Sequence, residues 1–141
     1  MRLVKDTNVF VAALKSGAGA SRELLRRLLL KKHNPLMGDK LFFEYSELIQ
    51  RKAVWGESLT EAKDRAVLLA AFADVCEWVP IFRIWRPNLL DAGDDHVMEL
   101  CIAGNAAALV TFNKRDFKAA RFAPAGMDLT TPAEFLKRYS T

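Results

Sequence analysis

What most constrains this chain is the alternation of short apolar runs with helix-patterned stretches. Leu3-Val4, Pro35-Leu36-Met37, Val79 to Trp85, Ala108 to Thr111 and Met127 to Leu129 read as strands. Between them, Ser21 to Lys32 sets Leu24, Leu25, Leu28 and Leu29 on one helical face and Arg22, Arg26, Lys31 and Lys32 on the other. Asp39 is expected to cap a helix over about 41–53. Ser58-Leu59-Thr60-Glu61 has the S-x-x-E pattern of a capping box and would open a helix to about Cys76. Pro87, Asn88, Asp91 and Gly93 mark a loop. Asp94 or Asp95 then begins a helix that Gly104-Asn105 should close. Lys114 to Ala120 suits a short helix, and Thr131-Pro132-Ala133-Glu134 is a second capping box, with Pro at the first helical position. Short apolar strands alternating with helices predict an α/β fold with a parallel sheet covered on both faces. There is no repeat, low-complexity stretch or linker, so residues 1–141 read as one domain; 51% apolar residues suffice for a core.

Composition excludes several classes. No apolar run approaches the roughly 18 residues of a membrane span, and Lys5 and Asp6 come too early for a signal-peptide core. The expectation is a cytoplasmic protein with no membrane association. Cys76 and Cys101 have no metal-like spacing and read as two reduced, buried core residues. The formal charge is +4, from 21 Lys+Arg against 17 Asp+Glu. If Asp6, Glu44, Asp94, Asp95 and Asp116 gathered in one pocket, 21 basic side chains would face 12 acidic ones elsewhere, a surface of +9. A basic rim around an acidic pit suits a polyanion. An ordinary mixed-charge surface gives the same totals.

The acids are placed where such a pocket forms. Ligands of open α/β sheets bind beyond the carboxyl ends of the strands. Asp6 follows the first strand, Asn113 and Asp116 follow the strand ending at Thr111, and Asp94 and Asp95 open the helix feeding that strand. Helical phase separates Glu44 from Glu47. At about 100° per residue, Leu41, Phe42, Tyr45, Leu48 and Ile49 define a buried centre. Glu44 lies about 100° from it, at its edge, and Glu47 about 160° away, facing water. Phe43 also turns outward, where an apolar ring suggests a partner surface.

Clustered carboxylates point to metal-assisted hydrolysis. Cleaving a phosphodiester builds negative charge and requires an activated water, and a hard divalent ion with oxygen ligands serves both needs. Two carboxylates about 4 Å apart repel by about 4 kcal/mol at an effective dielectric of 20, so a shared pocket calls for a cation. His33 and His96 are too few and too scattered for zinc, and no Gly-rich phosphate loop is present.

These motifs resemble the PIN-domain family, in particular the bacterial VapC-like ribonucleases that form the toxin half of toxin–antitoxin pairs. The resemblance rests on Asp6-Thr7-Asn8-Val9 after the first strand and on Glu44-Tyr45-Ser46-Glu47-Leu48. It also rests on Arg86-Pro87-Asn88 with Asp91 through Leu100, on Val110 through Phe117, and on the closing Thr131 to Leu136. It covers nearly the whole chain in the right order. It implies a three-layer α/β/α fold with a short parallel central sheet, and a single-strand-specific endoribonuclease using Mg²⁺ or Mn²⁺. The metal ligands and catalytic residues would be Asp6, Glu44, Asp95 and Asp116. Thr7, Asn8, Asp94, Thr111 and Asn113 would support them, and Lys114 and Arg115, with Lys118, Arg121, Arg83 and Arg86 nearby, would grip RNA. A neutralising antitoxin and a homodimer are the implied partners. Lys5 departs from the family, which has an apolar residue before the first Asp. A lysine in a central strand must find an acid or escape along its stem, and snorkelling out is the expectation.

Three rivals remain at this point. One is a PIN-fold RNA-binding module without activity, which the full set of acids disfavours. Another is an Asp-dependent phosphatase-like α/β enzyme, which typically carries a second Asp where this chain has Asn8. The third is a receiver-like domain, for which Met37-Gly38-Asp39 is poor support.

Overall fold

The computed structural model describes residues 1–16, 19–56, 62–81 and 94–139. Five strands form one sheet: β1 (Arg2–Lys5), β2 (Asn34–Met37), β3 (Glu77–Trp78), β4 (Ala108–Val110) and β5 (Asp128–Thr130). Their order is β3-β2-β1-β4-β5, and every pairing is parallel. The helices are α1 (Thr7–Lys15), α2 (Ala20–Leu29), α3 (Asp39–Gln50), α4 (Lys52–Trp55), α5 (Ala62–Val75), α6 (Asp95–Ala103), α7 (Lys114–Lys118) and α8 (Pro132–Arg138). Successive residues of a strand point to opposite faces, and Leu3, Val4 and Lys5 are all buried, as are Ala108, Leu109 and Val110. Helices therefore cover both faces of the central sheet, as the apolar strands predict.

The helix faces follow their patterns. In α2, Leu24, Leu25 and Leu28 are buried while Arg22 and Arg26 face water. Thr131 and Glu134 form the expected reciprocal capping box at the start of α8, with Pro132 at the first helical position. Gly104 closes α6, and Asn105 follows in the left-handed region at φ 49°. Among the described residues, no helix is long and apolar enough to cross a membrane.

Several expectations are corrected. Residues 7–15 form a helix that the alternation of strands does not announce. Asp6 caps it by accepting from the Thr7 backbone N–H at 2.8 Å, and Val9, Phe10, Ala13 and Leu14 line its buried side. Asp39 is the first residue of α3 and Gly38 occupies the cap position, so the helix starts earlier than the Asp39 cap implied. The strand expected over 79–85 lies at Glu77–Trp78, and its ladder extends one step as Val79 N–H donates to Met37 O at 2.9 Å. Residues 82–85, the loop through Gly93 and the capping box at 58–61 lie outside the described residues.

Lys5 does not snorkel. It is 1% exposed, and its Nζ lies 3.8 Å from the ring centre of Phe72 and 4.7 Å from that of Phe10. Each sheet face carries every second residue, and on the face of Lys5 these rings of α5 and α1 close over the stem before the amine can reach water. Among the described residues Nζ has no hydrogen-bond partner, and burial lowers its pKa to about 7. Cys101 is fully buried as expected, whereas Cys76 is only partly so; burial pushes the Cys76 thiol up to about 12.

Candidate active site

Sheet register brings two distant motifs together. Lys5 pairs with Val110 across β1 and β4, and the ladder continues as Asp6 N–H donates to Val110 O at 2.9 Å. Thr111 N–H likewise donates to Thr130 O at 2.9 Å, holding the residue after β4 in line with the sheet. Asp6 and Thr111 thus stand side by side at the carboxyl ends of adjacent strands, and Thr111 Oγ1 donates to Asp6 Oδ2 at 2.8 Å. The Asn113 backbone N–H donates to Thr111 Oγ1 at 3.0 Å, which orients that hydroxyl toward the carboxylate.

On its other side Asp6 is linked to α3. Thr7 N–H donates to Asp6 Oδ1, and Thr7 Oγ1 donates to Glu44 Oε1 at 2.8 Å, so one residue holds both carboxylates. Glu44 Oε2 meets His96 Nε2 at 2.7 Å. A carboxylate only accepts, so the His96 ring carries a proton on Nε2. Asn113, Thr111, Asp6, Thr7, Glu44 and His96 form one continuous hydrogen-bonded chain across four sequence motifs.

The two acids differ in electrostatics. Burial raises the Asp6 pKa, opposed by the Thr111 and Thr7 hydrogen bonds and reinforced by the charge of Glu44. Glu44, whose side chain is 36% exposed, is held below its ordinary value chiefly by His96 and also by Thr7. One carboxylate is kept ionised while its buried neighbour resists ionising beside it. The α1 N-terminus favours negative charge at Asp6, but only in part.

The donor chemistry fits a hard divalent cation. Both groups offer oxygen, and a cation would favour the ionised form of Asp6 that burial first, and the charge of Glu44 after it, opposes. The geometry supplies part of a coordination shell. Among the described residues, no three His, Cys, Asp or Glu side chains gather closely enough to hold a metal ion. Asp95 is fully buried at the first position of α6, and Asp116 is exposed on α7. Asp94 occupies the α6 cap position without a capping side-chain hydrogen bond.

A PIN-domain family profile matches residues 2–115. The chain belongs to the PIN-domain family. A solved structure of VapBC2 from Rickettsia felis, bound to a DNA fragment from their promoter, is similar at 18% identity. The likeness covers 92% of this chain and 97% of that one with a TM-score of 0.60, and at that identity it shows the fold alone. No curated protein matches. The α/β architecture with its five-stranded parallel sheet is the PIN-like fold that the motifs implied.

Among the expected substrate-gripping residues of this PIN domain, Arg115 is exposed, while Lys114 Nζ contacts both oxygens of Glu134 at 3.0 and 3.2 Å. Lys118 and Arg121 are exposed, and Arg83 and Arg86 lie outside the described residues. The Asn113 residue is exposed; the contact it makes to the site is through its backbone. Asn8 Oδ1 is buried without a hydrogen-bond partner among the described residues. Phe43 is 64% exposed, and the Trp55-Gly56 turn does not cover it.

His96 is the residue that sequence reasoning missed. Counting histidines for a zinc site set it aside, yet its neighbour Asp95 had already been placed at the mouth of the pocket. At the start of a helix, residues i and i+1 diverge by about 100°, so one of an adjacent pair can face Glu44 when the other does not. That adjacency was the available signal.

Proposed function

We propose that this PIN domain, occupying residues 1–141, is a metal-dependent endoribonuclease that cleaves single-stranded RNA as the toxin of a toxin–antitoxin pair. The observation that carries the reading is the joining of Asp6 and Glu44 by Thr7 at the carboxyl end of the central strand. Family membership supports nuclease chemistry, and the likeness to a VapBC structure supports the toxin assignment. On this reading the protein acts in the cytoplasm, meets a cognate antitoxin and pairs as a homodimer, with exposed Phe43 in one of those contacts.

Asp6 and Glu44 would hold the first coordination positions of a divalent cation, and Asp95 and Asp116 would complete them. When bound, Mg²⁺ or Mn²⁺ supplies an activated water and neutralises charge building on the phosphoryl oxygens. Thr111 and Thr7 hold the Asp6 carboxylate, and Thr7 and His96 fix both oxygens of Glu44, so neither acid has to reorient during the reaction. Arg115 and Lys114, the latter released from Glu134, would neutralise flanking phosphates.

The test pairs binding with activity. Millimolar Mn²⁺ should raise the melting temperature, because only the folded chain assembles the site. The rise should shrink in Asp6→Asn and Glu44→Gln, and both variants should lose cleavage of single-stranded RNA. Melting unmoved by Mn²⁺, with no cleavage by the parent chain, refutes the nuclease reading.

A further inference from the structure

The carboxyl end of β4 presents an aromatic ring beside the acids. Phe112 follows Thr111, whose hydroxyl donates to Asp6 Oδ2 at 2.8 Å and accepts from the Asn113 backbone N–H at 3.0 Å. The second bond closes a turn with Phe112 at its centre, and the first ties that turn to Asp6. Consecutive Cα atoms are about 3.8 Å apart, so the ring is carried one residue from the hydroxyl that holds the carboxylate.

The ring is 50% exposed, while Thr111 before it and Phe117 after it are buried. The chain that carries Phe112 is therefore anchored on both sides, and half of an apolar ring is left in water at a fixed position. A flat partner settling on it loses little side-chain freedom. The charges nearby pick the partner. Arg115, Lys118 and Arg121 follow in the chain and are exposed, against one exposed acid, Asp116. An occupant suited to this rim is anionic and offers a flat ring. A protein surface can match the cations with carboxylates, but a nucleotide strand brings charge and ring together in every repeat.

We propose that Phe112 is the stacking platform for an unpaired base adjoining the scissile phosphate, and that it makes the site favour single strands. The inference rests on the ribonuclease reading and extends it to how the strand is recognised. A nucleotide whose phosphate is held at Asp6 has its base within reach of a residue this near. In a duplex both faces of each base are covered by its neighbours, whereas an unpaired base has a face to lay on the ring. Every base has such a face, so the platform tolerates all four and ranks them by stacking strength, purines ahead of pyrimidines.

The test uses the full chain with Mn²⁺ and a single-stranded RNA whose cut position is mapped, alongside versions lacking the base on one or the other side of the cut. Phe112→Ala should lower kcat/KM on the intact strand by about 5- to 150-fold, mostly through KM, and Phe112→Trp should match or exceed the parent. Phe112→Leu, apolar but without a π face, should behave as Phe112→Ala does. On the strand lacking the stacked base, the parent should fall by the same factor and Phe112→Ala should fall no further. The parent's preference for the single strand over the same sequence in a duplex should shrink in Phe112→Ala. All three variants should keep the Mn²⁺-induced rise in melting temperature, since Thr111 and the acids are untouched. Losing that rise would make the ring a brace for Thr111 and overturn the platform. An unchanged KM on intact RNA, or an equal loss by Phe112→Ala on intact and abasic strands, also overturns it and leaves the nuclease reading standing. So does a loss of self-association in Phe112→Ala with unmoved RNA kinetics, which would assign the ring to a contact between copies. A parent that cleaves none of these RNAs refutes the ribonuclease reading first, and the platform with it.

Discussion

Replacing Lys5 by Met should make the protein more stable at neutral pH and remove a specific part of its pH dependence. The Lys5 amine lies over the Phe72 and Phe10 rings with no hydrogen-bond partner among the described residues, and burial lowers its pKa to about 7. In the unfolded chain the same amine titrates near 10.4. Below pH 7 the amine is protonated in both states, and the folded protein bears the whole cost of a buried charge. Between 7 and about 10.4 the unfolded chain retains a proton that the folded chain sheds. Stability from this group therefore rises with pH, by at most about 1.4 kcal/mol per pH unit. From pH 7 to 9 that amounts to roughly 2 to 2.5 kcal/mol, or near 10 °C in melting temperature for a chain of this size. Met fills the same slot between the rings with no charge to desolvate. Thermal melts of both proteins at pH 7, 8 and 9 isolate the effect. Contributions common to both cancel in the difference, including that of Cys76, whose buried thiol is held up at about 12 and so opposes the rise. Lys5→Met should exceed the parent by about 2–4 kcal/mol at pH 7, and the gap should close toward pH 9. A Met variant that is less stable at pH 7, or that keeps the parent's slope, would refute the assignment of this amine to the aromatic slot.

Two further outcomes test the supporting residues. Thr111→Val keeps the shape but deletes the donor to Asp6 Oδ2; it should cost about 1–3 kcal/mol at neutral pH, raise the Asp6 pKa further and weaken the Mn²⁺ response, all measurable by melts with and without the metal. Removing Lys114 and Arg115 together should flatten the salt dependence of RNA binding by about 0.7 in log–log slope for each lost phosphate contact, across all sequences alike, and an unchanged slope would assign them to the solvated surface.

Much of the fold was legible because its signals are local. Leucine spacing marks α2, the capping box marks α8, and Gly104-Asn105 marks the end of α6. Apolar strands short enough to be buried on both faces identify a parallel sheet. The misses have physical causes. Residues 7–15 mix β-branched and aromatic side chains with Ala and Leu, and their helix depends on Asp6 as cap and on burial beneath the sheet, which periodicity weighs poorly. Lys5, in a central strand, is expected from its type to find an acid or to snorkel out along its stem. Strand alternation instead directs it onto Phe10 and Phe72, which are distant in sequence from each other and invisible as a box until the helices pack. The phase of α3 separated Glu44 from Glu47 correctly, because a helix face is fixed by spacing alone. No comparable rule gives the facing of Asp95 against His96 at the first turn of α6, where one residue of offset decides which side chain meets Glu44.

That offset explains how the site is organised. The contacts holding the two central acids come from threonines and one histidine rather than from a basic residue. Lys5 is adjacent in sequence to Asp6, and the fold commits its amine to two aromatic rings on the far side of the strand. If its amine instead paired with Asp6, a carboxylate would be neutralised permanently, and a divalent ion would have to displace a tethered cation to bind. Neutral donors stabilise the same carboxylate geometry without occupying its charge. Burying Lys5 therefore costs stability at neutral pH and leaves the Asp6 and Glu44 carboxylates to the hydroxyl, backbone and imidazole groups that hold them. Burial is the largest cause of both shifts, raising the Asp6 carboxyl and lowering the Lys5 amine. A cation at the acids would relieve the first, and nothing in the aromatic slot relieves the second.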